Sequence, residues 1–144
     1  MLQPDANLDI PSPYYRVSLK AIVFDDDNRL LVIQTQDGFW ELPGGGWEHG
    51  ESMQHCLRRE MMEELCLGVK HIDFKRIYPY SSKGRTGHFR LKLAVPVTVQ
   101  DYDVKISDPD IKAHRFVTPQ QLAKLDMVDS ESGIKQHIPR IWPG

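Results

Sequence analysis

The strongest constraint on the fold is residues 52–67, SMQHCLRREMMEELCL, because they have the composition of one amphipathic helix. The segment contains neither proline nor glycine, and Ser52 is a residue type that favours helix N-caps. At about 100° per residue, its apolar side chains form one stripe, made by Leu57, Met61, Met62 and Leu65. Such a stripe has to be buried, so the segment predicts a helix that packs on a β-sheet.

The other side of the predicted helix concentrates negative charge. Glu63 and Glu64 each lie within roughly 60° of Glu60 around the helix axis, and like charges at this spacing repel by roughly a few tenths of a kcal/mol per pair. These residues alone leave two interpretations open. One is a solvated acidic face, as most charge runs are, and the other is a binding site for a hard cation such as Mg²⁺.

The segment just upstream favours the cation site. WELPGGGWEHGE, residues 40–51, predicts a glycine-rich loop that leads directly into the helix. Gly44, Gly45 and Gly46 permit positive φ and let the backbone approach a ligand closely. Alone they would indicate a sharp turn. Followed by three clustered carboxylates, they indicate half of a site for a metal ion and a phosphate.

Residues 45–67 resemble the Nudix box, G-x5-E-x7-R-E-U-x-E-E-x-G-U, in which U is a bulky apolar residue. Eight of the nine specified positions match, namely Gly45, Glu51, Arg59, Glu60, Met61, Glu63, Glu64 and Leu67. The preceding WELPGG is also similar to the family's usual approach to the box. The one departure is Cys66, which stands where the pattern has glycine. We expect Cys66 to be structural and Gly68 to provide the left-handed cap of a slightly longer helix.

The resemblance implies the Nudix fold, which is α/β, more narrowly α+β, with a mixed β-sheet sandwiched between α-helices. It also implies Mg²⁺-dependent hydrolysis of a diphosphate linkage in a nucleoside diphosphate joined to another group X, with Mn²⁺ as an alternative cofactor. Glu60, Glu63 and Glu64 are the implied metal ligands, together with the carbonyl group of Gly44. Nucleoside triphosphates, ADP-ribose, dinucleoside polyphosphates and nucleotide sugars all remain open as substrates.

The same resemblance assigns roles to the neighbouring box residues. Arg59 is expected to orient the glutamates through charge-assisted hydrogen bonds. Glu51 is expected to brace the loop against the helix, and Gly45 is a structural residue of the box. Glu63, Arg59 and Glu60 are therefore the predicted catalytic residues, with the general base left open between Glu63 and a residue outside the box.

Two groups outside the box are further candidates. Lys83, Arg85 and Arg90 belong to the basic stretch SSKGRTGHFR, which is either a solvated hairpin tip or a site for the phosphates of the substrate. Asp108 and Asp110 precede a predicted strand, and the resemblance implies that an acidic residue from such a later loop can serve as base or ligand.

The remaining pattern predicts one domain, residues 15–144, after an extended lead-in, residues 1–14, that contains three prolines. Apolar and β-branched residues predict strands at residues 15–25 and 29–35, joined by a turn as a hairpin. Strict alternation predicts a further strand at residues 89–99.

Composition and charge limit the cellular location and the binding partners that we expect. The net charge of -2 favours neither nucleic acid nor a membrane surface, and no apolar run is long enough to span a bilayer. The N-terminus lacks the features of a signal peptide, and Cys56 and Cys66 are too far apart on one helix for a disulfide. We therefore expect a cytoplasmic protein with a small-molecule partner, and a homodimer is left open. The alternative is a Nudix-fold module that binds a nucleotide without cleaving it, although the retained glutamates favour the enzyme.

Overall fold

The computed structural model describes residues 15–83, 89–127 and 133–143, so the predicted lead-in lies outside the described residues. The described part contains eight strands, three α-helices and one 3₁₀ turn. In chain order they are β1 (Tyr15–Ile22), β2 (Leu30–Thr35), β3 (Trp40–Glu41), β4 (Gly44–Gly46), α1 (Met53–Leu65), β5 (Val69–Ile72), β6 (Tyr78–Lys83), β7 (Phe89–Val99), β8 (Ile111–Val117), α2 (Pro119–Lys124), the 3₁₀ turn (Ile134–His137) and α3 (Ile138–Ile141).

The strands form two sheets, and the prediction of a mixed α+β fold is confirmed. The larger sheet has the order β4-β1-β7-β5, with β6 also paired to β7, and the smaller sheet has the order β3-β2-β8. β1 runs antiparallel to β4 but parallel to β7, which makes the larger sheet mixed. Throughout the described part of the chain, no helix has the length and apolar character that crossing a bilayer requires.

Alternate residues of the strands contribute to two separate hydrophobic cores. The first contains Leu19 and Ala21 of β1 and Val95 of β7, and it receives α1. The second contains Ile22 of β1 and receives Leu122 of α2. Successive strand side chains point to opposite faces, so the sheets are covered by helices on both sides. This burial on both faces explains why Ser18 and Lys20 of β1, although polar, are buried as well as its apolar residues.

The hairpin predicted for residues 15–35 is wrong, because β1 and β2 belong to different sheets. Their backbones are hydrogen-bonded near the turn, where the Leu31 N–H donates to the Val23 carbonyl oxygen at 2.8 Å. Residues 30–33 are all buried, so β2 has no solvent face that would fix its pairing to the nearest strand in sequence. The turn therefore carries the chain from one sheet to the next.

The predicted helix is confirmed between Met53 and Leu65, with one error in its buried face. The Ser52 side chain accepts a hydrogen bond from the His55 N–H at 3.0 Å and caps the helix. Met62, predicted in the apolar stripe, is 51% exposed, whereas Glu64, predicted on the acidic face, is 4% exposed. Relative to the predicted orientation, the helix is rotated about its own axis, so that Glu64 faces β4 and Met62 faces solvent.

The helix ends at Cys66 itself, so the expectation that Gly68 supplies the cap is wrong. Cys66 adopts φ 55° and ψ 33°, the left-handed conformation, and its N–H donates to the Met62 carbonyl oxygen at 3.1 Å. The Leu67 N–H donates to the Met61 carbonyl oxygen at 3.3 Å, which completes a Schellman arrangement. Leu67 is buried in the core, so the chain has to turn inward directly after the helix.

Candidate active site

The three glycines that were predicted as loop form β4, an edge strand paired with β1. Ser18, Leu19 and Lys20 are opposite Gly46, Gly45 and Gly44 respectively. A β-carbon at Gly45 would lie 2.6 Å from the Glu60 Oε1 atom. The glycines therefore let α1 pack so closely on the sheet that the Glu60 carboxylate lies directly over the backbone.

Gly44 is held from both sides and cannot carry a side chain. Its φ is +134°, and a β-carbon there would lie 2.1 Å from the Leu19 carbonyl oxygen. Its N–H donates to the Glu64 Oε1 atom at 3.1 Å, and its carbonyl oxygen accepts from the Lys20 Nζ atom at 3.3 Å. The backbone at the predicted ligand Gly44 is thus fixed between a helix carboxylate and a strand ammonium.

Arg59 joins three predicted site carboxylates. Its Nη2 and Nε atoms donate to the two carboxylate oxygens of Glu51 at 2.7 and 3.1 Å, a bidentate pair. Its Nη1 atom donates to Glu60 at 2.9 Å and to Glu63 at 3.3 Å, and its Nη2 atom also reaches the Gly46 carbonyl oxygen at 3.3 Å. These contacts are the ones that an orienting role for Arg59 and a bracing role for Glu51 require.

The charges of this group shift two neighbouring pKa values. Hydrogen bonds from Arg59 lower the pKa of Glu51 to about 2, so Glu51 is ionised at neutral pH. Burial, reinforced by the nearby Glu51 carboxylate, raises the pKa of the Cys56 thiol to about 12. A thiol that remains protonated is a poor nucleophile, so Cys56 is a core residue and not a reactive group.

Glu64 is the most perturbed acid of the site. Burial raises its pKa far above the usual range for a glutamate, and the neighbouring Glu60 carboxylate adds to the increase, while the Lys20 ammonium opposes it. Two carboxylates within hydrogen-bonding range of each other, one of them buried, are electrostatically unfavourable when both are ionised. A divalent cation beside them would reverse this effect.

These groups line a cleft of about 590 Å³. Its acidic lining residues are Glu41, Glu48, Glu60, Glu63, Glu64, Asp108 and Asp110. The predicted candidates Asp108 and Asp110 therefore lie at the same cleft as the box glutamates. Their loop is attached to the end of α1, where the Ser107 N–H donates to the Glu64 carbonyl oxygen at 3.0 Å, and to the turn after β2, where the Gln36 N–H donates to the Asp110 carbonyl oxygen at 3.0 Å.

The oxygen donors of the cleft suit a hard divalent cation, but the side chains alone do not complete its coordination shell. Carboxylate and carbonyl oxygens are the ligands that Mg²⁺ and Mn²⁺ prefer. Among residues 15–83, 89–127 and 133–143, no three Asp, Glu, His or Cys side chains converge closely enough to hold an ion by themselves. Glu60 and Glu63 are bound to Arg59, and Glu64 to the Gly44 N–H. Mg²⁺ usually keeps several waters and binds substrate phosphates, so an open half-site suits it.

The predicted substrate-binding cations are placed only in part. Arg85 lies outside the described residues, and Lys83 ends β6 with a side chain that is not described. Arg90 lies in β7 and does not itself line the cleft, but its charge helps to lower the pKa of Glu41, which does. Its buried Nε atom has no hydrogen-bond partner within the described part of the chain.

Two residues of the site escaped the sequence analysis. Lys20 is 4% exposed in the middle of β1, and its Nζ atom donates to the Glu41 Oε1 atom at 3.4 Å. The available signal was a lysine between the apolar residues Leu19 and Ala21 of a predicted strand, where a cation without a partner would be costly to bury. Glu41 stood next to the glycines in WELPGG without a predicted role.

Two curated proteins are similar in sequence to about half of this chain. A MutT-like protein of Streptomyces ambofaciens is 36% identical over 73 residues, which cover 50% of this chain and 47% of that protein. An RNA pyrophosphohydrolase of Ruthia magnifica subsp. Calyptogena magnifica is 37% identical over 66 residues, which cover 44% of this chain and 36% of that protein. The chain thus spans about half the length, or less, of these two curated relatives.

Structural similarity extends over nearly the whole chain. The crystal structure of a MutT protein from Methanosarcina mazei Go1 matches with a TM-score of 0.73 and 17% identity, covering 91% of this chain and 95% of that chain. At this identity the match shows the fold alone. The NUDIX domain family matches residues 14–138, which span both sheets, α1 and α2. The chain therefore belongs to the NUDIX domain family.

Proposed function

We propose that this protein is a Nudix pyrophosphohydrolase that cleaves a diphosphate linkage in a nucleoside diphosphate joined to a further group X. The observation that carries the proposal is the carboxylate wall of the cleft, where Glu60, Glu63 and Glu64 lie beside the glycine backbone of β4. A diphosphate is itself an anion, so it can approach such a wall only with divalent cations in between. Mg²⁺ is the proposed cofactor, and Mn²⁺ is expected to replace it.

Glu60, Glu63 and Glu64 would hold the cation from α1, and the Gly44 carbonyl oxygen would hold it from β4. When bound, the cation supplies charge neutralisation of the diphosphate and a water of lowered pKa. The Gly44 carbonyl oxygen accepts one hydrogen bond from Lys20, which leaves a second lone pair for a ligand. Gly44 and Gly45 keep the strand free of side chains, so phosphate oxygens can approach its backbone.

Arg59 restrains Glu60 and Glu63 through one shared nitrogen, so both carboxylates have a defined starting position. Glu63 is the most exposed of the three ligands, with 58% of its side chain accessible, and we propose it as the group that accepts the proton of the attacking water. Asp108 and Asp110, on the loop that also borders the cleft, are the alternative bases.

The phosphates of the substrate need cationic partners as well as the metal ion. We propose Lys83, Arg85 and Arg90 for this role, and the unpaired Nε atom of Arg90 supports this for one of them. A cytoplasmic setting is proposed as well, since Cys56 and Cys66 are both free thiols.

A substrate panel tests the proposed function. Nucleoside triphosphates, ADP-ribose, dinucleoside polyphosphates, nucleotide sugars and a 5′-triphosphorylated RNA oligonucleotide are incubated with Mg²⁺, with Mn²⁺ and with EDTA. We expect cation-dependent release of phosphate, pyrophosphate or a nucleoside monophosphate from at least one of them, and no release in EDTA. Hydrolysis in ¹⁸O-labelled water then identifies the phosphorus that is attacked, from the product that carries the label.

The panel also distinguishes the alternative. Saturable binding of a nucleotide without turnover, under all three metal conditions, would contradict the enzyme and favour a Nudix-fold nucleotide-binding module. Turnover that persists in EDTA would contradict the role proposed for the carboxylates.

A further inference from the structure

Lys20 is a buried charge for which the proposed chemistry has no use. It is 4% exposed and lies between Leu19 and Ala21, both of which are fully buried. An ammonium group removed from water destabilises the fold unless partners compensate for its lost hydration. A lysine in this position is therefore expected to have a specific task.

The contacts of Lys20 point to the sheet side of the cleft. Its Nζ atom lies 3.4 Å from the Glu41 Oε1 atom and 3.3 Å from the Gly44 carbonyl oxygen. Glu41 and Gly44 both line the cleft. Lys20 thus reaches the cleft wall from behind, without being one of the residues that line it.

Gly44 needs such a support because its own backbone is conformationally free. A glycine at φ +134° has no β-carbon to restrict rotation of the adjacent peptide groups. Its N–H is fixed by Glu64 of α1, and the hydrogen bond from Lys20 fixes the orientation of its carbonyl oxygen. The two bonds come from opposite sides of the strand and define one geometry for this edge of the cleft.

We propose that Lys20 is a positioning residue, which aims the Gly44 carbonyl oxygen and the Glu41 carboxylate so that the cleft can take a divalent cation. This inference rests on the proposed function. Under this proposal, removing Lys20 weakens the binding of the cation. The loss of a nearby positive charge would by itself strengthen the attraction of the carboxylates for a cation, so the two effects have opposite signs.

The test is Lys20→Met, which keeps the length of the side chain and removes its donor and charge. Lys92→Met is the matched control, because Lys92 is also 4% exposed and lies on the neighbouring strand β7, directed to the same face of the sheet. Its charge, like that of Lys20, lowers the pKa of Glu41, so the two variants share the loss of a positive charge near Glu41 and the comparison isolates the Gly44 contact. Mn²⁺ binding is measured on the full chain without nucleotide, by electron paramagnetic resonance. Values of kcat and KM are then measured on the best substrate of the panel.

We expect Lys20→Met to weaken Mn²⁺ binding by about tenfold and to lower kcat by about 10-fold to 100-fold, the usual range for a residue that supports metal ligands. The KM should change less, and Lys20→Arg should restore most of the Mn²⁺ affinity because it keeps a donor for both acceptors. Lys92→Met should bind Mn²⁺ within about twofold of wild type, since it leaves the Gly44 contact intact.

Unchanged or tighter Mn²⁺ binding by Lys20→Met would overturn the positioning role, as would equal weakening in Lys92→Met. Should Lys20→Met fail to fold, Lys20→Gln is measured in its place, under the same expectation. Hydrolysis by wild type together with normal Mn²⁺ binding by the variant would overturn only the role of Lys20. A wild-type protein that binds no Mn²⁺ would overturn the proposed function, and this inference with it.

Discussion

Two buried or half-buried cations support the same carboxylate cleft from opposite sides. Arg59 belongs to α1, and its contacts extend to Glu51, Glu60 and Glu63. Lys20 belongs to β1 and contacts Glu41 and the Gly44 carbonyl oxygen. The Arg59 side chain is 20% exposed and that of Lys20 is 5% exposed.

The two groups differ most in how far apart their members lie along the chain. The partners of Arg59 are one, four and eight residues away, so helix geometry and one short loop bring them together. The partners of Lys20 are 21 and 24 residues away and meet it only because β4 pairs with β1. A local motif therefore describes the Arg59 side of the cleft and omits the Lys20 side.

The largest effect is expected for Glu64, which contacts a member of each group: the Gly44 N–H on the Lys20 side and the Glu60 carboxylate on the Arg59 side. Glu64→Gln keeps an oxygen for the Gly44 N–H but removes the negative charge. We expect kcat to fall by about 100-fold to 1000-fold, because cation binding is worth several kcal/mol and each 1.36 kcal/mol is a factor of ten. Thermal unfolding should change little, since the amide preserves the shape of the buried group. Near-normal turnover by this variant would remove Glu64 from the metal site.

A second test removes only the contacts that Arg59 makes. Arg59→Met leaves the carboxylates of Glu51 and Glu60 without their cation, so we expect the free energy of unfolding to fall by about 3 kcal/mol, the low end for breaking a buried pair. Arg58→Met is the matched control, because Arg58 is exposed and donates only to the Val69 carbonyl oxygen among the contacts described. Urea unfolding of both variants measures the difference. Equal losses would mean that the Arg59 contacts add nothing specific.

The Arg59 side of the cleft also predicts that the free energy of unfolding decreases at acid pH. Since the pKa of Glu51 is lowered to about 2 in the folded protein, the stability it contributes is present above its unfolded pKa of 4.5 and is lost as the pH falls through the folded pKa. Glu51→Gln should cost about 2 kcal/mol near neutral pH, the value of a charge-assisted hydrogen bond, and much less near pH 2. Urea unfolding at several pH values tests this, and a cost that is independent of pH would contradict it.

The smallest effect concerns the end of the helix that carries the glutamates. Cys66→Gly should raise the free energy of unfolding by about 1 kcal/mol, because a non-glycine residue at φ 55° is strained. Cys66→Ala is the control, since it removes the thiol but retains the β-carbon. Thermal unfolding should rank the glycine variant above the alanine variant. The reverse order would contradict the strain, since both variants lack the thiol. A wild type more stable than both variants would show that the contact between the Cys66 Sγ and Ser107 Oγ atoms outweighs the strain.

Sequence reasoning succeeded where the determinants are local. The extent of α1, its Ser52 cap and the extent of β7 depend on residues a few positions apart, and each was predicted closely. It failed where pairing is decided at long range. β1 and β2 are adjacent in sequence and both largely buried, so nothing local indicated that they belong to different sheets. Met62 and Glu64 were exchanged between the two faces of the helix because a rotation of one residue position is not fixed by pattern alone.

By itself, the sequence determined the acidic helix, the glycines before it and the arginine that binds its carboxylates, because these groups interact across one or two helical turns. Only the tertiary structure decided that Lys20 would fix the Gly44 carbonyl oxygen and that the loop of Asp108 and Asp110 would border the same cleft. Both depend on strand pairing and on backbone hydrogen bonds between segments far apart in the chain. Such contacts leave no spacing in the sequence from which they could be inferred.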